Sequence, residues 1–151
     1  MNRTQGASLP ASVRQRLLNL SRERREDLNL ILIRYGTERL LYRLSQSPYA
    51  DRFVLKGALL LALWTQRLHR PTRDIDLLGY GDSSEDALAS LFRQLCVLNV
   101  PADGLIFHPD TVEVTDIREE QEYGGQRVRL LATLGKARIP PQIDIGFGDV
   151  V

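Results

Sequence analysis

The sequence predicts an α+β fold: a mixed β-sheet flanked by helices and entered through an N-terminal helical pair. Three observations carry this. Leucines and isoleucines recur at helical spacing up to Leu44. Short strand and helix patterns then alternate from Phe53 to Cys96, and after Pro101 only strand-like segments remain. Helices, then βαβα, then a run of strands suits a mixed sheet with helices on it. The chain has 151 residues, 43% of them hydrophobic and 26% charged. A domain of this size buries roughly 70% of its unfolded surface without staples.

The elements follow in order. Met1 to Gly6 reads as a loose tail, and Ser8 with Pro10 as a helix start. Val13, Leu17, Leu18 and Leu20 give that helix a partial apolar stripe, with Arg14, Arg16, Arg22, Arg24 and Arg25 on its other side. A second helix is expected from about Glu26 to Leu44, weakened by Gly36. Ser45 to Tyr49 reads as a loop and Phe53-Val54-Leu55 as a short buried strand. Lys56-Gly57 ends that strand, and Ala58 to Gln66 reads as a helix. A turn at Gly79, Gly81 and Asp82 precedes a helix capped by Ser83 or Ser84, with Ala87, Leu88, Leu91, Phe92, Leu95 and Cys96 inward. Leu105 to Phe107, Thr111 to Asp116, Arg127 to Ala132 and Gln142 to Ile145 are the later strands, with a turn at Tyr123-Gly124-Gly125-Gln126. The expected division is a helical region over 1–50 and a core over 51–151.

Charge is balanced, with 20 Lys and Arg against 19 Asp and Glu, so net charge argues neither for nor against a nucleic-acid partner. The single cysteine excludes an internal disulfide, and Cys96 reads as core. His69 and His108 lack metal-ligand spacing with each other or with Cys96, which argues against zinc. No apolar run opens the chain, and Leu28 to Ile33 is too short to span a bilayer, so a cytoplasmic location without a membrane partner is the expectation.

The chemistry concentrates in Arg70-Pro71-Thr72-Arg73-Asp74-Ile75-Asp76-Leu77-Leu78. On a strand, residues i and i+2 share a face, roughly 7 Å apart along the axis. Ile75 and Leu77 then face a core, and Asp74 and Asp76 point the other way together. Adjacent anions repel unless a cation lies between them, and hard oxygen donors suit Mg²⁺. Two further features fit the same site. Lys56-Gly57 sits between a strand and a helix, where backbone N–H groups meet phosphate. Asp144, flanked by Ile143 and Ile145, is a third carboxylate on the polar side of a buried strand. If the strands of Asp76 and Asp144 are neighbours, three carboxylates converge. Such a set holds two metal ions roughly 4 Å apart, one activating the attacking oxygen and one clamping the leaving group.

With Gly57, Arg70-x-Thr72-x-Asp74-Ile75-Asp76-Leu77 and Gln142-Ile143-Asp144-Ile145 in place, the chain resembles the AbiEii nucleotidyltransferase toxins. These are the toxin halves of type IV toxin–antitoxin systems, related to the DNA polymerase β-like superfamily. The resemblance covers about Phe53 to Asp149 and implies a nucleotidyltransferase-type sheet. It also implies an enzyme that moves a nucleotide from an NTP to an RNA acceptor such as tRNA, with Mg²⁺ or Mn²⁺ as cofactor and a cognate antitoxin as partner. Asp74, Asp76 and Asp144 would hold the metals, and Asp144 would help deprotonate the acceptor hydroxyl. Gly57 and Ala58 would bind phosphates through backbone N–H, beside Lys56, while Arg70 and Thr72 would shape the loop or touch the triphosphate. Ala58 replaces the family's second small residue, often Gly or Ser, which removes a hydroxyl but keeps the backbone donor. Relatives continue into a mostly helical half with a triphosphate-binding lysine and another acidic residue, so the chain looks like the family's N-terminal half.

Two other readings share these residues. One is a minimal nucleotidyltransferase antitoxin that adenylylates a protein partner, which normally carries a Gly-Ser-x-Ala-Arg-Gly-like turn where this chain has Lys56-Gly57-Ala58-Leu59. The other is a non-catalytic domain that binds antitoxin or RNA through its arginines.

Overall fold

The protein is described by a computed structural model, which describes residues 3–55, 74–117 and 125–147. Two helices open it, α1 (Arg3–Arg24) and α2 (Leu28–Ser45). A short 3₁₀ turn (Ala50–Arg52) leads into β1 (Phe53–Leu55). Then come β2 (Asp74–Gly79), α3 (Glu85–Cys96), β3 (Leu105–Ile117), β4 (Gly125–Leu134), β5 (Ala137–Ile139) and β6 (Gln142–Gly146). The strands form a mixed sheet in the order β1-β2-β6-β4-β3, with β5 also paired to β4. Only the β2–β6 pairing is parallel among the described residues. This is the α+β architecture with an N-terminal helical pair that the patterning predicts.

Strand alternation builds one core. Ile75 and Leu77 of β2, Val128, Leu130, Ala132 and Leu134 of β4, and Ile143 and Ile145 of β6 are buried. They join Leu32, Leu40 and Leu44 of α2 and Leu88, Leu91, Phe92 and Leu95 of α3 in a single hydrophobic cluster. The helices therefore pack on one face of the sheet, and the alternate strand positions, largely polar, face the other way. α3 has the expected apolar stripe and is capped by Ser84, whose Oγ accepts the Ala87 N–H at 3.2 Å.

Several boundaries differ from the sequence expectations. α1 begins at Arg3, so Arg3 to Gly6 is helical and Pro10 lies inside the helix rather than at its start. Pro10 lies close to Gly104 and Gly135. Leu105–Phe107 and Thr111–Asp116 are parts of one strand, β3, interrupted between His108 and Glu113 by a shift in register. Thr111 fills the irregularity: its Oγ1 donates to the His108 carbonyl at 2.6 Å and accepts the Leu131 N–H at 2.9 Å. Gly125 and Gln126 belong to β4 rather than to a turn, pairing with Ile117 and Asp116. Gly79 is the last residue of β2, paired with Phe53, so the turn begins after it. The strand β5 has no counterpart among the expected elements. It follows a two-residue turn at Gly135-Lys136, where Gly135 takes φ +60°. Gly36, which weakens the α2 pattern, has a packing reason: a Cβ there would lie 2.8 Å from Ile139 Cγ2 of β5.

A buried ionic cluster ties α2 to the segment before β3. Arg43 grips Asp103 with both terminal nitrogens, at 2.8 and 3.3 Å, and Arg39 Nε adds a third bond at 2.8 Å. Tyr35 Oη donates to the Asp103 carbonyl at 2.7 Å, and Arg43 stacks on the Phe107 ring at 4.4 Å. Burial alone would raise the Asp103 carboxyl, but the bonds from Arg43, Arg39 and the Leu105 N–H outweigh it and hold its pKa below the ordinary value. Cys96 is buried nearby, as its place on the apolar stripe of α3 implies. Burial pushes its thiol up to about 11, so it is inert at neutral pH. No helix among the described residues is long and apolar enough to cross a membrane.

Candidate functional site

The site rests on the parallel pairing of β2 and β6. Their register places Asp74 beside Gln142, Ile75 beside Ile143, Asp76 beside Asp144 and Leu77 beside Ile145. The reason is hydrophobic. Ile75 and Leu77 are 3% and 2% exposed, and Ile143 and Ile145 are fully buried. A slip of one residue would drive Asp76 or Asp144 into that core, so burial of the isoleucines sets the register of the aspartates. Asp76 is exposed and Asp144 half-buried, on the face away from the core. Neighbouring strands lie about 4.8 Å apart, so Asp76 and Asp144 occupy adjacent places in one cross-strand row.

The row continues onto β4, where Arg127 pairs with Asp144. The guanidinium meets the carboxylate with two parallel bonds, Nε to Oδ1 at 2.8 Å and Nη2 to Oδ2 at 3.1 Å. The next row holds Asp74, Gln142 and Arg129 in register, and Arg129 Nε donates to Gln142 Oε1 at 3.1 Å. Two carboxylate positions and one guanidinium thus stand side by side across three strands, a charge pattern of minus, minus, plus.

Of the residues expected at the site, Asp76 and Asp144 are brought together and Asp74 takes the register position beside Gln142. Lys56, Gly57, Ala58, Arg70 and Thr72, like the helix expected over Ala58 to Gln66, lie outside the described residues. Among the described residues there is no group of three or more His, Cys, Asp or Glu that could hold a metal ion. His108 instead bonds to Thr133 Oγ1 at 3.0 Å. Two findings bear on whether a divalent metal fits. The donors at Asp76 and Asp144 are hard carboxylate oxygens, the kind that Mg²⁺ and Mn²⁺ take. A cation, the Arg127 guanidinium, already sits on Asp144 as a stand-in for positive charge. The chemistry of these two donors is compatible with such an ion.

Arg127, Arg129 and Gln142 are the residues that sequence reasoning missed as members of the site. A signal was there. Arg127-Val128-Arg129 mirrors Asp74-Ile75-Asp76, two charges of one sign on the same side of a strand. Its meaning depended on knowing that β4 lies beside β6.

A family model described as the nucleotidyl transferase AbiEii toxin of type IV toxin–antitoxin systems matches residues 39–151. The chain belongs to the AbiEii family. The match runs from the middle of α2 through β6 and takes in all three aspartates. No curated protein sequence matches significantly. Among solved structures, the crystal structure of JHP933 from Helicobacter pylori is similar at 17% identity with a TM-score of 0.44, over 78% of this chain and 45% of that one. The likeness is too slight to bear on the fold, and the chain spans less than half the length of that protein.

Proposed function

We propose that this AbiEii-family site transfers a nucleotide from an NTP to the hydroxyl of an RNA acceptor such as tRNA, with Asp74, Asp76 and Asp144 holding Mg²⁺ or Mn²⁺. The observation that supports it best is the parallel β2–β6 register, which sets Asp76 directly beside Asp144. When bound, the metal would neutralise the phosphate oxygens and lower the pKa of the attacking hydroxyl. In the transfer, the acceptor oxygen bonds to the α-phosphorus, the bond to pyrophosphate breaks, and the hydroxyl proton passes to Asp144. Gly57 and Ala58 would offer backbone N–H groups to the phosphates, with Lys56, Arg70 and Thr72 at the triphosphate. A cytoplasmic setting, where NTPs and tRNA are present, and a cognate antitoxin complete the reading.

The test is transfer of labelled NTP to total tRNA in Mg²⁺, with Mg²⁺–NTP binding measured alongside by calorimetry. Both signals are expected to fall in Asp74→Ala and Asp76→Ala. Undiminished transfer in those variants would overturn the mechanism, and label on protein instead of RNA would overturn the acceptor.

A further inference from the structure

We propose that Arg127 is a built-in competitor for the metal: its guanidinium occupies the carboxylate of Asp144 until a divalent cation displaces it. The inference rests on the metal reading above and adds to it a residue and a role.

Geometry carries the argument. Arg127 comes from β4, and its Cα is the register partner of Asp144 on β6. Both carboxylate oxygens are engaged, at 2.8 and 3.1 Å. The carboxylate keeps free lone pairs, but a divalent ion on them would repel the adjoining guanidinium, so the two cations compete for Asp144. The exchange is feasible because the pair is only partly withdrawn from water: the side chains of Arg127 and Asp144 are 28% and 19% exposed. An ion pair at that depth is worth far less than a sealed one. The position beside Asp144 is also informative. Asp76 lies on its other flank, so the guanidinium on Asp144 closes one end of a row that holds two carboxylate positions. It offsets part of the negative charge of that row.

The consequence is a weakened metal site, and it can be measured without any transfer assay. Mn²⁺ binding to the whole chain would be followed by electron paramagnetic resonance of the free ion, with circular dichroism reporting that each variant is folded. Arg127→Gln is expected to bind Mn²⁺ about tenfold more tightly than the parent, the factor that corresponds to about 1.4 kcal/mol. Arg127→Lys, which keeps the charge but loses the two-pronged grip, should fall between them and serves if the glutamine variant does not fold. Arg129→Gln removes the same charge one row away, where the partner is Gln142 rather than a carboxylate. It should change the affinity by less than about twofold, since a single exposed charge acts weakly through solvent. Equal tightening by Arg127→Gln and Arg129→Gln would reduce the effect to general electrostatics and overturn the competitor role. So would unchanged or weaker binding in Arg127→Gln. Failure of the metal reading looks different: Mn²⁺ affinity would then be indifferent to Asp76→Asn and Asp144→Asn, whichever residue stands at 127.

Discussion

Two arginine–aspartate pairs with similar bond lengths sit in different surroundings in this molecule. Arg43 and Asp103 meet where α2 packs against the segment before β3, and each side chain is 6% exposed. Arg127 and Asp144 meet on the polar face of the sheet at 28% and 19%. Both pairs are two-pronged. The Asp103 carboxylate is filled on every side, by Arg43, Arg39 and the Leu105 N–H, so it has no capacity left for a ligand. Asp144 instead has another carboxylate position, Asp76, in register beside it. The contrast teaches that an ion pair's motif does not disclose its role. A sealed and saturated pair leaves no room for a ligand, whereas a half-open pair next to a second anion is where the proposed exchange of cations would take place.

The sharpest way to break this comparison is Asp144→Asn. Transfer activity should fall by about 10³-fold, the loss of about 4 kcal/mol expected when a metal ligand and base is neutralised. The midpoint of urea unfolding should barely move, because a half-exposed pair contributes about 1 kcal/mol or less. A large shift in the midpoint with activity retained would reverse the two roles. Next in size is Arg43→Met, which leaves Asp103 buried with less compensation. It should cost about 3 kcal/mol of stability, read from urea denaturation, with Mn²⁺ affinity unchanged. A smaller effect is expected from Tyr35→Phe, which removes the 2.7 Å bond to the Asp103 carbonyl. About 1 kcal/mol is the usual worth of such a bond, and no detectable change would mean that the hydroxyl is satisfied elsewhere.

The smallest signal is in the pH dependence. The folded pKa of Asp103 lies below its ordinary value of 3.8. A depressed carboxylate contributes stability at pH above its unfolded pKa and loses it as the pH falls through the folded one. Stability should therefore drop on acidification below about pH 4, and the drop should shrink in Asp103→Asn. An identical acid limb in parent and variant would assign the acid sensitivity to other carboxylates.

Much of this was legible in the sequence because it depends on short-range pattern. The Ile75/Leu77 and Ile143/Ile145 alternation placed Asp76 and Asp144 on the polar sides of buried strands, and the structure agrees. Ser83 or Ser84 announced the start of α3, the structure selecting Ser84, and the stripe from Ala87 to Cys96 announced its inward side. Features set by distant contacts were not legible. Pro10 reads as a helix start, yet α1 runs through it where it lies close to Gly104 and Gly135. Three residues of β5 are too few to show a period, and the strand exists because β4 supplies its partner. Nothing in the local pattern around Asp103 shows that two arginines sixty or more positions away enclose it.

The sequence by itself determined that the chain is α+β and that Asp76 and Asp144 sit on strands with their flanking isoleucines inward. These properties follow from periodicity and residue type, which act over a few positions. The tertiary structure alone decided that β6 inserts between β2 and β4. That one insertion set Asp76 beside Asp144 and set Arg127 upon it, because strand order depends on which hydrophobic faces close the core together. The same aspartates in another strand order would be solvated surface charges.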